Sequence, residues 1–509
     1  MVDESTLSDS SRRRRKESKR AGLAARVAWL VIVVVIASGV VGALHRALND
    51  KPDWNDLARE SRQVWESGRS LPGTAMFGYL PTTTFALWPF TAWTPRGVGI
   101  GLFVTSNLLA ALASVWILYR WWWRDGRVPA LFFAWPVLLA CANLQHALQA
   151  NQLTLWTLVL CLAGLTLVGR QRAFLGGVVL GLAGLIKVLP FMLVGYLLLR
   201  GKWRALGGVL VAVVLFDAVP SVAFFGWQGA IDEHRAWLQR VRWHSSGNLI
   251  DEPLLRVHRH GNNASYAAVL TRWLRSVPDA RRQVILYGNP PEDVVRRYRA
   301  ALAPDEILTL DPMPRPGSRW AEKRVDIGWV PRFHIANFGP RTVWWIWSST
   351  LGGALVALVW FTWRTGRGGR RAWDAVGALW MLAMFFPSPM TRHYYLAWAL
   401  PAIAVVTRAL WSEGRIEAAS RGFGRSLALA ALLAWVVGVL CLGWHAARWY
   451  GIHLGVLILL IAATVWACRR ASVGRAADPL ARRTGAPEAE ITGIESECPP
   501  RAARRDPRS

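Results

Sequence analysis

Four short stretches of the chain hold side chains able to do chemistry. The first is Asp53-Trp54-Asn55-Asp56-Leu57-Ala58-Arg59-Glu60. Leu57, Val64 and Trp65 share one helical face, so this stretch is expected to lie along a membrane surface with Asp56 beside the apolar stripe. Desolvation disfavours the charged form of a carboxylate and would suit Asp56 to accept a proton from a hydroxyl. An N-capping or simply solvated Asp is the plainer reading of the same spacing. The second stretch runs from Asn143 to Asn151 and on to Gln152, carrying many amides and no charge. As a turn between spans it could hydrogen-bond a neutral polyol or backbone, or only meet interfacial water.

The third stretch is Gly184-Leu185-Ile186-Lys187-Val188-Leu189-Pro190. A Lys at the centre of a membrane helix costs about 2.5–3.5 kcal/mol on insertion scales. A lipid phosphate would compensate that charge, as would snorkelling to the interface. The fourth stretch reads Phe386-Pro387-Ser388-Pro389-Met390-Thr391-Arg392-His393-Tyr394-Tyr395. Its prolines break one helix, and Arg392, His393 and Tyr394 begin the next. Arg392 can pair with phosphate and His393 can move a proton or donate to an anion. Tyr394 and Tyr395 could equally belong to an interfacial aromatic belt.

The elements that carry these stretches follow from composition. Of 509 residues 53% are hydrophobic, 31 are Trp, and 60 Lys and Arg face 32 Asp and Glu. Long apolar runs recur from Val27 to Cys468, with charge confined to short clusters between them. That excludes a soluble enzyme, a disordered chain and a small disulfide scaffold, and predicts an all-α, multi-pass integral membrane protein in a lipid bilayer. The formal net charge of +28 would suit a nucleic-acid binder were the chain soluble. In a membrane protein the basic bias of cytoplasmic loops accounts for it, so no nucleic-acid partner is expected. The Cys residues make no paired spacing, and no metal site or cofactor is implied.

The first apolar run, Val27–Leu44, would rise about 27 Å as a helix and is read as a retained span rather than a cleaved signal. Further spans are expected at 97–118, 129–142, 152–168, 173–187, 188–199, 205–225, 342–363, 372–387, 394–410, 425–445 and 451–468, about twelve in all. The two short spans meeting near Lys187 and Pro190 could instead be one kinked helix with a re-entrant piece. Basic residues cluster at alternate turns, as in Arg120, Arg124 and Arg127, or Arg364, Arg367, Arg370 and Arg371. The intervening turns hold few, which sets both termini in the cytoplasm of a plasma (inner) membrane protein. This divides the chain into a basic N-terminus (1–26), an N-terminal bundle (27–225) with an outer loop at 45–96, a large outer loop (226–341), a C-terminal bundle (342–468) and a disordered tail (469–509). Pro291–Leu308 has the composition of a polar helix and Asp311–Gly317 that of a linker. All four reactive stretches then fall on one, extracytoplasmic, face.

In this order the pieces resemble the polyprenyl-phosphate-sugar-dependent glycosyltransferases of the GT-C fold, and most closely glycosyltransferase family 87, the alpha-1,2-mannosyltransferase-like membrane proteins. The resemblance runs over roughly residues 25–470. Its best stretch goes from Asn151-Gln152-Leu153 through Gly176-Gly177 and Gly181 to Lys187, Pro190 and Lys202-Trp203-Arg204. Gly261-Asn262-Asn263-Ala264-Ser265 is similar to the family's Gly-Asn-Gln-Ser loop, and Ser388-Pro389 with His393-Tyr394 to its Ser-Pro…His motif. Departures include Tyr79-Leu80-Pro81 for Tyr-Pro-Pro and Arg392 where a Trp precedes the His. Residues 276–333 look like an insertion.

The resemblance implies transfer of a hexose, typically mannose, from a polyprenyl-phosphate donor to a glycolipid or glycan acceptor, with inversion. Asp56 would be the base, with Asp53 its rival, and His393 would assist proton movement. Lys187 and Arg392 would hold the donor phosphate, while Gln152, Asn151, Asn262 and Tyr394 would line the sugar and acceptor pocket. A phosphate leaving group can be stabilised by a fixed cation without metal. The competing reading is a polytopic transporter or flippase of lipid-linked sugars, although those tend to place ionisable groups near the midplane.

Overall fold

The computed structural model describes residues 4–49, 54–68, 79–80, 83–123, 133–242, 265–275, 282–288, 290–304, 306–311, 320–326, 334–365, 370–388, 392–413, 423–441 and 451–473. Asp53, Asn262, Asn263, the Pro389–Thr391 segment and the tail beyond Val473 lie outside the described residues. The fold is an all-α, multi-pass membrane bundle. Six described helices are long and apolar enough to cross a bilayer: Leu23–Leu48, Arg96–Arg120, Trp203–Leu238, Pro340–Arg364, His393–Trp411 and Ile452–Arg469. Shorter apolar helices, Thr154–Gly169, Ala173–Ile186, Leu189–Leu199, Ala372–Ala383 and Arg425–Leu440, fill the bundle between them.

In chain order the helices are α1 (Glu4–Leu48), α2 (Trp54–Ser67), α3 (Thr83–Thr91), α4 (Arg96–Ile117), α5 (Ala134–Ala150), α6 (Thr154–Gly169), α7 (Ala173–Ile186), α8 (Met192–Leu199), α9 (Trp203–Val213) and α10 (Val219–Arg242). After them come α11 (Tyr266–Leu274), α12 (Glu292–Ala300), α13 (Pro340–Arg364), α14 (Arg370–Ala383), α15 (Leu400–Glu413), α16 (Phe423–Leu440) and α17 (Ile452–Val473). The first helix is longer than its apolar run, because the basic stretch before Val27 continues the same helix. Residues 143–150 belong to α5 and are not a turn. The amides alternate with Leu144, Ala147 and Leu148, so the stretch still has an apolar face to bury, and the chain reverses only at Asn151. Asn151 takes the left-handed conformation, φ 48°, that Asn tolerates at a helix C-terminus.

Beyond residue 225 the expected loop begins as helix: α10 runs on to Arg242 around a kink at Gly226, whose φ of 71° suits glycine. Residues 276–333, read from the sequence as an insertion, hold a small α/β unit, which the helical fold class did not foresee. Strand β1 (Arg282–Gly288) pairs in parallel with β2 (Glu306–Asp311) and antiparallel with β3 (Trp320–Asp326), in the order β2-β1-β3. Helix α12 connects the parallel pair, as a crossover requires. The polar helix expected over Pro291–Leu308 therefore stops at Ala300, and its last residues join β2. Val284, Ile285 and Leu286 are buried in succession, the pattern of a central strand covered on both faces.

Glycine governs how closely the short spans pack. A Cβ at Gly177 of α7 would fall onto the Ala205 carbonyl of α9, and one at Gly208 of α9 onto the Phe174 carbonyl of α7. Gly164 and Gly176 do the same between α6 and α7. These are small-residue contacts of the kind that let membrane helices meet backbone to backbone. Gly177→Ala is expected to lower the unfolding temperature in detergent by several degrees. Gly207→Ala, with open space around it, is expected to leave that temperature unchanged or raise it slightly. Parallel thermal unfolding of the two variants checks this.

Many of the tryptophans act as pins. Trp373 donates to the Leu165 carbonyl (3.1 Å), Trp398 to the Thr154 carbonyl (3.0 Å), Trp435 to the Leu139 carbonyl (2.9 Å) and Trp380 to Thr362 Oγ1 (2.9 Å). Each buries a large ring while satisfying its one donor. Together they tie α14, α16 and the His393–Ala399 segment ahead of α15 to α5, α6 and α13, and so fix the segment that carries His393.

Candidate active site

The site grows from the break between α7 and α8. Pro190 ends the helical ladder, and Lys187 leaves α7 in an extended conformation (φ −149°, ψ 125°). The Lys187 side chain turns into the bundle and is 4% exposed. Its Nζ lies 3.5 Å from the centroid of the Tyr395 ring and 5.5 Å from those of Tyr79 and Trp398. No hydrogen-bond acceptor reaches Nζ among the described residues. The snorkelling alternative fails because the ammonium is enclosed by aromatic faces.

Opposite Lys187, residues His393–Ala399 form a 3₁₀ helix in place of the α-helical start that the sequence suggested. Three residues per turn bring Arg392, Tyr395 and Trp398 onto one side. The Tyr395 and Trp398 rings stack, 5.7 Å apart and 11° from parallel. Arg392 puts a second positive charge close enough to act on Lys187. Cation–π contacts are worth about 0.5–2 kcal/mol each and soften the burial of Lys187 without neutralising it. Lys187 thus brings positive charge into a buried aromatic box, with Arg392 nearby.

Around the box stand the other predicted residues. Tyr79 Oη donates to Gln152 Oε1 at 3.4 Å. Asn151, 1% exposed, accepts at Oδ1 from Asn107 Nδ2 of α4 at 3.2 Å. Tyr394 is buried and packs edge-on against Tyr395, centroids 4.7 Å apart. His393 contacts Tyr394 on one side and His146 of α5 on the other. The structure thus assembles Lys187, Arg392, His393, Tyr394, Asn151 and Gln152 from segments far apart in sequence.

Asp56 lies at the rim. Helix α2 seats Trp54 on Phe103 of α4, with centroids 4.2 Å apart, and buries Leu57 in a cluster with Tyr79, Leu153 and Ile186. Those three are, respectively, part of the box, next to Gln152 and next to Lys187. A second aromatic group, Trp65 with Trp88 of α3 and Phe224 of α10, holds the other end of α2. The desolvated carboxylate that the sequence suggested is not present. The Asp56 side chain is 39% exposed, and its Oδ1 accepts from Arg59 at 2.8 Å, one turn along α2. Leu57 occupies the buried face in its place, because the apolar stripe of α2 passes beside Asp56. Among the described residues Arg59 is the hydrogen-bond partner of the Asp56 carboxylate, through Oδ1. No group of three or more His, Cys, Asp or Glu side chains able to hold a metal stands among the described residues.

Sequence reasoning did not single out Trp398, Asn107 or His146 as site residues. The spacing of Tyr395 and Trp398 was an available signal, since residues three apart share a face in either helix type. Nothing local to Asn107 or His146 marks their partners, which come from across the bundle.

Residues 77–298 match the family model for Glycosyltransferase family 87. That span includes Tyr79, Asn151, Gln152 and Lys187 but neither Asp56 nor the Arg392–Trp398 segment. The chain is also similar to the alpha-(1->3)-arabinofuranosyltransferase of Corynebacterium glutamicum, 27% identical over 189 residues. The similarity takes in 35% of this chain and 40% of that protein's length. No solved structure matches. With the membrane bundle, these two similarities support a membrane glycosyltransferase.

Proposed function

We propose that this chain is a glycosyltransferase of family 87 that moves a hexose, mannose in the family's usual case, from a polyprenyl-phosphate donor to a glycolipid or glycan acceptor. The observation that carries this reading is the buried ammonium of Lys187, boxed by Tyr395, Tyr79 and Trp398, beside the charge of Arg392. A phosphate would give the buried Lys187 ammonium an acceptor, and a polyprenyl tail can lie along the apolar helices that frame it. Both termini are placed in the cytoplasm and the site on the extracytoplasmic face of the plasma membrane, following the charge of the short turns.

In the reaction, the acceptor hydroxyl oxygen bonds to the anomeric carbon from the face opposite the phosphate. The bond from that carbon to the phosphate oxygen breaks with its electron pair, giving polyprenyl phosphate and an inverted glycoside. The hydroxyl proton passes to Asp56, acting as general base. Lys187 and Arg392 stabilise the charge gathering on the departing phosphate in a water-poor site. His393 donates to that phosphate or carries a proton away, and Asn151, Gln152 and Tyr394 meet the sugar and acceptor hydroxyls. Asn262 would join them from the following loop.

The name of the corynebacterial relative favours a second reading of the sugar, an arabinofuranosyl unit carried on the same type of donor. Mass spectrometry of envelope glycolipids, with and without the protein, distinguishes the two. A missing hexose supports the first reading and a missing pentose the second. An unchanged glycolipid profile would count against both.

A further inference from the structure

A second pair of cations lies at the far end of α8 from the Lys187 break. Arg200 follows the last residue of α8, Gly201 turns the chain with φ 60°, and Lys202 leads into α9. Both cations attend one indole. The Arg200 guanidinium carbon is 5.8 Å and Lys202 Nζ 5.6 Å from the ring of Trp373, near the start of α14. Arg200 Nη1 donates to the Thr365 carbonyl at the C-terminus of α13 (3.4 Å). Its other two nitrogens, Nε and Nη2, are enclosed and reach no acceptor. They are the edge of the guanidinium whose parallel N–H groups match two oxygens of one anion. Two neighbours could have satisfied that edge. Tyr196 Oη stands beside the guanidinium but donates to the Trp373 carbonyl (2.9 Å), and the buried Asp374 carboxylate is near enough to act on Tyr196. Neither accepts from Nε or Nη2. Leaving those donors enclosed, with a second positive charge at the same ring, costs stability unless an anion joins them.

The surroundings favour an anion that arrives with the membrane. Leu198, Trp203 and Trp363 flank Arg200, Lys202 and Thr365 in sequence, and all three are exposed. Exposed apolar and indole side chains next to cations are the pattern of a membrane–water interface. Arg200 is itself half-buried, which leaves its side chain a route to that surface. We propose that Arg200 and Lys202 bind the phosphate of an anionic phospholipid in the leaflet at this end of α8, with the Nε–Nη2 edge of Arg200 taking two phosphate oxygens. The site is separate from the Lys187 box and does not depend on the reaction proposed above.

Native mass spectrometry of the full-length protein in non-ionic detergent tests this, with phosphatidylglycerol and zwitterionic phosphatidylcholine of equal chain length offered in equal amounts. Wild type should retain one phosphatidylglycerol in preference to phosphatidylcholine. Its affinity should fall about tenfold in Arg200→Gln, the order expected for one charged bidentate contact. Arg204→Gln removes the same charge from an exposed position on α9 and should change affinity by less than about twofold. Lys202→Gln leaves the Thr365 contact in place, should weaken binding a few-fold, and carries the test if Arg200→Gln does not fold. Inorganic phosphate, added at fixed ionic strength, separates the sources. No displacement of phosphatidylglycerol supports the lipid, whereas displacement assigns the site to soluble phosphate and overturns the lipid. Equal retention of the two lipids by wild type, or equal losses in Arg200→Gln and Arg204→Gln, overturns the inference.

Discussion

Asp56→Asn is expected to insert and fold as the wild type does while losing sugar transfer by about 10²–10⁴-fold, the usual worth of a general base. The substitution keeps the shape of the side chain and an oxygen that can still accept from Arg59. Fold and membrane insertion rest on the neighbours, Trp54 against Phe103 and Leu57 in its cluster, which the change does not touch. What the substitution removes is the carboxylate charge that the proposed reaction uses to take the acceptor's proton. The measurement is turnover of a labelled lipid-linked sugar by purified protein, with unfolding temperature recorded alongside. Full activity in Asp56→Asn would remove the carboxylate from the mechanism. Arg59→Ala provides a companion: Asp56 keeps its charge, so only a few-fold loss is expected.

Lys187→Met has the second-largest expected effect, and its two consequences run in opposite directions. Activity should fall by about 10²–10³-fold, because the cation acts on charge that appears on the phosphate in the transition state. Stability should rise. A buried ammonium without an acceptor carries a desolvation cost of several kcal/mol, and cation–π contacts return only about 0.5–2 kcal/mol each. Methionine has a similar reach, packs well against aromatic rings and needs no counter-charge. An unfolding temperature higher by a few degrees with activity nearly abolished would mark Lys187 as kept for function at the expense of stability. Reduced stability would instead mean that the aromatic box holds the lysine for structural reasons.

How legible these features were depended on range. The spans were written in apolar runs, so 173–187, 342–363 and 451–468 correspond within a few residues to α7, α13 and α17. The break at Lys187 followed from Pro190, a strictly local cause. The stretch 143–151 misled because amide-rich composition reads as a turn, while the helix is set by Leu144, Ala147 and Leu148 packing inward. The α/β unit escaped because its strands are short and separated by Pro-rich segments, with no periodicity to set them apart from a loop. In the site, Lys187 stood out as a charge in apolar surroundings and Arg392 as a cation opening a helix after a proline break. The enclosure of Lys187 by Tyr79, Tyr395 and Trp398 depends on how three distant segments meet, and no single segment encodes that. For the same reason the exposed environment of Asp56 was not legible, since Leu57 takes the buried face of α2 in the cluster with Phe103 and Leu153.

Reconstitution of the purified protein in liposomes with a polyprenyl-phosphate mannose labelled in the sugar, together with an envelope glycolipid extract, tests the central claim most directly. The account predicts that label passes from the donor to an acceptor lipid, and that Lys187→Met and Asp56→Asn each abolish the transfer. Movement of the intact labelled donor between leaflets, with no new glycolipid formed, would contradict it and point to a transporter.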